Sequence, residues 1–146
     1  MRYLLYDAAR GHVQLQEEVD YMNNYIELQQ LKTAHKQQIS FSTQGQLEGI
    51  EVAPMLLVTL LENSLKHSNI QQGGWINMHL ETYPNAVHFS IENTLQSPSP
   101  ATSAAHSGIG LSNMRQRLHL LYPDAHTFTI QSTETTFSAT LRVTLP

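Results

Sequence analysis

The chain has 146 residues, 40% hydrophobic and only 14% charged, with a formal charge of −4 when its eight histidines are neutral. That length makes one domain, or one domain with a helical appendage, and can bury roughly 70% of the unfolded surface. Cysteine is absent, which excludes a disulfide scaffold and a thiolate metal site and fits a reducing, cytoplasmic compartment. Eight Lys and Arg against twelve Asp and Glu leave no cation surplus, so no nucleic-acid partner is expected. The longest apolar stretch, Val52 to Leu61, falls far short of the roughly 20 residues of a spanning helix, and no direct membrane contact is expected. Asp7 and Arg10 interrupt the apolar start, so it is not a secretory signal. Met1 leads straight into helical-looking sequence, as expected of a piece of a longer protein.

Residues 1–9 read as the tail of a helix that Gly11 breaks. From Leu15 to about Lys36 the period is helical: Leu15, Val19, Met22 and Ile26 form a stripe that Tyr21, Tyr25 and Leu28 widen. Acidic residues load its start and Lys32, His35 and Lys36 its end, as the helix dipole prefers. Ile39 and Phe41 alternate with polar residues as a short strand, and Gly45 and Gly49 mark a turn. Pro54 is expected in the first turn of a second helix running to about Ser68, with Met55, Leu56, Leu60, Leu61 and Leu65 on its core side. Residues 75–83 and 87–92 alternate about Pro84-Asn85 as a hairpin. Thr94 to Ser107 has two prolines among small and polar residues, the texture of a mobile loop long enough to be a functional lid. Gly108-Ile109-Gly110-Leu111 is expected to open a third helix to about Leu121, closed by Tyr122-Pro123. Phe128, Ile130, Phe137, Ala139, Leu141 and Val143 then outline a closing hairpin. Helices segregated among antiparallel strands predict an α+β two-layer sandwich.

Two segments carry chemistry. Glu62-Asn63 lies in the middle of an otherwise apolar helix, where Asn is a weak helix former and both side chains are costly to bury unpaired. For a lone Asn, an exposed polar face of an amphipathic helix is the plainer explanation. Gly108-Ile109-Gly110 precedes a helix, where backbone N–H groups can approach a phosphate at the positive helix end. A plain turn into a helix is the alternative.

Taken in order, with the loop before the second, these segments resemble the ATP-binding end of a LytS/YehU-type sensor histidine kinase. That family belongs to the gyrase, histidine-kinase and MutL ATPase superfamily with the Bergerat fold. Pro54 through His67 resembles its asparagine box, Gly108 through Leu118 with Leu121-Tyr122 its second glycine box, and the helix from Leu15 its leader from the phosphoacceptor region. The resemblance implies a helical leader at 1–36 and an ATP-binding domain at 37–146 with an ATP lid at 94–107. It implies ATP and Mg2+ as cofactors. Asn63 would ligate the magnesium, with Glu62 near the metal or its waters and Lys66 and His67 near the phosphates. Gly108 and Gly110 would cradle phosphate, with Leu111 and Asn113 beside them. His67 could equally be a cation at a helix C-terminus. Arg117 reads more readily as a structural partner of a carboxylate.

The sequence also departs from the family. Thr59 stands where the family usually has Gln. Asn93 stands at the adenine-reading Asp of the first glycine box, with no glycine after it. An Asn oxygen can still accept a hydrogen bond from the adenine amine. The implied function is the catalytic fragment of a bacterial two-component sensor kinase, cytoplasmic in a membrane-anchored parent. Its partners would be the parent's dimerisation and phosphoacceptor region and a cognate response regulator. A nucleotide-silent relative kept for protein interaction is the rival. The phosphoacceptor setting is missing, because His88-Phe89 alternates as a strand and lacks the preceding proline. The chain alone is therefore expected not to phosphorylate itself.

Overall fold

The computed structural model describes residues 11–31, 38–95 and 100–145, with the backbone alone at 71 and 100–110. The elements are β1 (Val13–Gln14), α1 (Leu15–Leu31), β2 (Gln38–Gln44), β3 (Glu51–Val52), α2 (Leu56–His67) and a 3-10 turn (Ile70–Gln72). They continue with β4 (Trp75–Tyr83), β5 (Ala86–Thr94), α3 (Pro100–Leu121), β6 (His126–Ser132) and β7 (Thr136–Thr144). Five strands form one sheet in the order β2-β4-β5-β7-β6, and β1 and β3 pair separately. β2 runs parallel to β4, while the other neighbours in the sheet are antiparallel.

Period-two alternation gives the sheet one apolar face. Phe41, Met78, Ile91, Ala139 and Ile130 stand in one cross-strand row, and Leu80, Phe89, Leu141 and Phe128 in the next. Leu15, Val19 and Met22 of α1, Leu57, Leu60 and Leu61 of α2, and Leu111, Met114 and Leu118 of α3 join that face in a single core. The opposite face is polar, with Asn77, Glu92, Ser138 and Gln131 in one row. The result is the two-layer α+β sandwich that the residue pattern predicts. No helix among the described residues is long and apolar enough to cross a membrane.

Two expectations are corrected. α2 starts at Leu56, so Pro54 precedes the helix instead of lying in its first turn. Met55 between them has φ 68, in the left-handed region, and this turns the chain into the helix. The loop expected as far as Ser107 gives way to helix at Pro100, and Gly108 and Gly110 lie inside α3 instead of before it. Ala101, Ala104 and Ala105 are the strongest helix formers, and Pro is tolerated at a first helical position, where its missing N–H has no partner. Thr94 ends β5, and Leu95 bridges Ser68. The expected helix tail over 1–9 and the leader's last residues, with the boundary at 36, lie outside the described residues. On either side of that boundary, α1 and the sheet share one core.

Candidate functional site

The helix that carries Asn63 starts without a cap of its own. Ala53-Pro54-Met55 offers no side chain able to accept a backbone N–H, and Met55 at the cap makes no side-chain hydrogen bond. The flanking helices supply the partners instead. The Ala53 N–H donates to the Tyr122 hydroxyl at 2.8 Å, just past the end of α3. Arg117 of α3 donates to the Pro54 carbonyl. The Met55 N–H donates to the Glu18 carboxylate of α1 at 3.2 Å. Glu18 is 2% exposed. Burial lowers the Arg117 pKa, and the Glu18 charge opposes that shift. Burial raises the Tyr122 pKa, against the bond from Ala53 and the charge of Arg117. Arg117 thus holds a backbone carbonyl here, with the Glu18 charge nearby.

Thr59, one turn before Asn63, turns its hydroxyl onto the Met55 carbonyl at 2.5 Å. It therefore points back along its own helix. Asn63, Lys66 and His67 share a helical face by their spacing. Asn63 and His67 are half-buried, and Glu62 and Lys66 are exposed. On α1, the Tyr25 phenol has its pKa raised first by burial and then by the Glu62 charge. Lys66 and His67 occupy the last turn, where the helix dipole favours cations.

The C-terminal end of α2 meets the end of β5. Ser68 bridges Leu95, and the Thr94 hydroxyl donates to the Asn69 side-chain oxygen while accepting from the Trp75 N–H at 3.0 Å. A side chain at Gly74 would collide with both Asn69 and Thr94, so this junction requires glycine there. Asn93, one residue before, continues the core-facing series Val87, Phe89, Ile91 and is 1% exposed. It stands in register between Ile76 and Phe137. Its Nδ2 donates to the Thr94 carbonyl at 2.9 Å. Its Oδ1 is buried with no hydrogen-bond partner among the described residues. With the donor side engaged, the atom left over is an acceptor, and burying one unpaired costs roughly 1–3 kcal/mol.

The structure brings Glu62, Asn63, Lys66 and His67 together on α2, with Asn93 on the strand end that α2 reaches. Gly108, Gly110, Leu111 and Asn113 lie along α3. Leu111 is buried in the core and Asn113 is exposed. Arg115 stacks over Phe128 at 5.0 Å and donates to its carbonyl at 3.3 Å. Glu18 and Ser64 lie around the Asn63 helix and are not singled out by the sequence reading, which names Tyr122 only as part of the second glycine box and the helix closure. Ser64 is 1% exposed, and its hydroxyl has no partner among the described residues. The signal for Ser64 is its spacing, since Leu57, Leu60 and Leu61 put it on the apolar stripe.

No protein-family model matches the chain. It is similar to the sensor protein LytS of Enterococcus faecalis, 22% identical over 143 residues that cover 90% of this chain and 24% of that protein. LytS of Bacillus subtilis is 34% identical over 64 residues, 44% of this chain and 11% of that protein. The chain thus spans about a quarter, 24%, of the length of the Enterococcus faecalis LytS protein. Among solved structures, the nucleotide-free catalytic domain of the histidine kinase ThkA superposes with a TM-score of 0.68 at 15% identity, covering 92% of this chain and 97% of that one. ThkA in complex with the response regulator TrrA gives 0.62 at 16% identity, covering 92% and 41%. A histidine kinase domain from a blue-light-activated kinase of Erythrobacter litoralis gives 0.61 at 13% identity, covering 90% and 65%. The chain is similar to LytS sensor proteins and has the fold of a histidine kinase catalytic domain, in agreement with the resemblance carried by its two boxes.

Proposed function

We propose that this chain is the ATP-binding, catalytic portion of a bacterial two-component sensor histidine kinase, which presents Mg-ATP to a histidine outside residues 1–146. The observation that carries the reading is the orphaned Asn93 oxygen, a buried acceptor at the junction of β5 with the Asn63 helix. It fits the exocyclic amine of adenine, and it disfavours guanine, which presents an oxygen at that position. Asn63 would hold magnesium through its amide oxygen, a suitable ligand for a hard cation that keeps most of its waters. Bound magnesium would bridge phosphates and neutralise their charge. Glu62 would order the metal's waters, and Lys66 and His67 would meet the phosphates. Gly108, Gly110, Leu111 and Asn113 would offer backbone N–H groups only after the first turns of α3 uncoil, since helical N–H groups are bonded one turn back.

In this reading residues 1–36 continue from the parent's dimerisation and phosphoacceptor region, 94–107 act as the ATP lid, and a cognate response regulator receives the phosphoryl group. The parent is membrane-anchored, with this portion in the cytoplasm. A second reading, a nucleotide-silent interaction module, is favoured by Asn93 in place of Asp and by the glycines inside α3. Replacing a charged acceptor with a neutral one costs about 1 kcal/mol, roughly five- to tenfold in affinity. Calorimetric titration with a non-hydrolysable ATP analogue, with and without magnesium, tests the proposal. Binding strengthened by magnesium in the wild type, with that gain lost in Asn63→Ala, supports it. No binding at millimolar nucleotide favours the silent module.

A further inference from the structure

α1 and α2 lie side by side and run in the same direction. Glu18 meets the Met55 amide at the start of α2, and Tyr25 lies close enough to Glu62 to feel its charge. Tyr25 is seven residues past Glu18, and Glu62 is seven past Met55, about two turns along each helix. The first of these is a direct hydrogen bond. α2 has no local cap, so the Glu18 carboxylate serves as its cap from another helix, at the end where the helix dipole favours negative charge. Arg117 and Tyr122 of the α3 end also couple to this carboxylate, and both hold the backbone just before Met55.

We propose that Glu18 is a positioning residue through which the leader helix sets the placement of α2, and so the reach of Asn63 toward a nucleotide-bound metal. The proposal rests on the nucleotide reading of Asn63 above. Glu18 lies two turns upstream of that residue's neighbourhood and touches no substrate. Its effect passes through the backbone at Met55. A shift of α1 that withdraws the carboxylate leaves the first turn of α2 uncapped and Arg117 without its counter-charge. Because Asn93 is on β5 while Asn63 is on α2, the metal-dependent part of the affinity responds more strongly than base recognition.

The test is titration of the 146-residue chain with a non-hydrolysable ATP analogue, with and without magnesium. It is combined with hydrogen exchange at Met55 to Thr59 in the nucleotide-free protein. Glu18→Ala is expected to lose about five- to tenfold of the magnesium-dependent gain, the value of one helix cap expressed as an equilibrium constant. Its magnesium-free affinity falls by less than that gain, and exchange at the start of α2 quickens. Glu18→Gln keeps an oxygen acceptor and is expected to restore most of both. Glu18→Asp keeps the charge beside Arg117 but draws the acceptor back by one methylene. It is expected to lower the magnesium gain with little change in melting temperature. An unchanged gain in Glu18→Asp overturns the proposal, even if Glu18→Ala does not fold. So does a loss that is equal with and without magnesium and tracks the melting temperature. A wild-type chain that binds no nucleotide overturns the reading of Asn63 instead. Exchange at α2 in Glu18→Asp then decides separately whether α1 holds that helix.

Discussion

The Tyr122 hydroxyl accepts the Ala53 amide at 2.8 Å across 69 residues of chain, fastening the end of α3 to the peptide that leads into the Asn63 helix. Tyr122→Phe keeps the ring's packing but leaves that buried N–H without a partner, which costs about 1–3 kcal/mol. Its melting temperature is expected to fall by several degrees. The wild type should also lose stability in alkali. Burial holds the Tyr122 pKa above its ordinary value of 10.0, so the unfolded chain releases the proton first. Stability is complete below that value and declines as pH rises through the folded pKa. Urea unfolding between pH 8 and pH 11 should show a shallower alkaline decline in Tyr122→Phe. Equal slopes in the two proteins contradict this account.

Asn93 separates stability from binding. Asn93→Leu replaces a buried orphan acceptor with an apolar side chain, so the empty protein should be as stable as the wild type or more so. The same variant should bind the ATP analogue too weakly to measure. Asn93→Asp is expected to do the reverse, binding about five- to tenfold more tightly while destabilising the empty protein through a buried unpaired carboxylate. A large loss of stability in Asn93→Leu, with nucleotide affinity unchanged, makes Asn93 a structural residue.

Gly108 and Gly110 sit within α3, where glycine is about 1 kcal/mol less favourable than alanine. Gly108→Ala and Gly110→Ala should each raise the stability of the nucleotide-free chain by about that amount. If these turns must uncoil to meet phosphate, the same substitutions weaken ATP binding. Thermal melts paired with titrations measure both effects. Substitutions that stabilise the chain and leave affinity unaltered show that the glycines have no phosphate role.

No histidine of this chain is expected to accept phosphate. His88 lies in β5, in register with Glu81 and Arg142, and its ring stands 4.8 Å from that of Tyr83. In-line transfer needs an attacking nitrogen about 3–3.5 Å from phosphorus, and a strand residue cannot travel there. Incubation with γ-labelled ATP should leave no acid-labile, alkali-stable label. Stoichiometric label on His88 contradicts the placement of the acceptor outside residues 1–146.

The sheet is legible from spacing alone, because Ile76, Met78, Leu80 and Val87, Phe89, Ile91 alternate without interruption. The same alternation runs on to Asn93, so its burial is available from the sequence, although its orphaned oxygen is not. The boundaries around α2 and α3 mislead for local reasons. Met55 adopts a left-handed conformation that side chains rarely take, and Pro98, Pro100, Gly108 and Gly110 read as loop punctuation while alanines between them favour helix. The polar clamp on residues 53–55 is illegible for a different reason. Glu18 looks like one more acidic residue in a first helical turn, and its partners lie far along the chain, so only the packed structure shows them meeting.

β2 is the one strand of the sheet that joins in parallel, and its partners in β4 lie 37 residues away, as with Ser40 and Asn77. β4 with β5 and β6 with β7 are neighbours in sequence joined by tight turns, and such local pairings close early because they cost little loop entropy. β2 can dock only after the chain has looped back through α2, the crossover between the two parallel strands. The Asn63 helix thus lies within a loop that only a long-range pairing closes. β5 with β7, as at Phe89 and Leu141, is a longer-range pairing still. Substitutions at Ile39 or Phe41 should mainly speed unfolding, and those inside the two hairpins, at Leu80 or Ile130, should slow folding. The order of events in folding then fixes the binding helix after the two hairpins have formed.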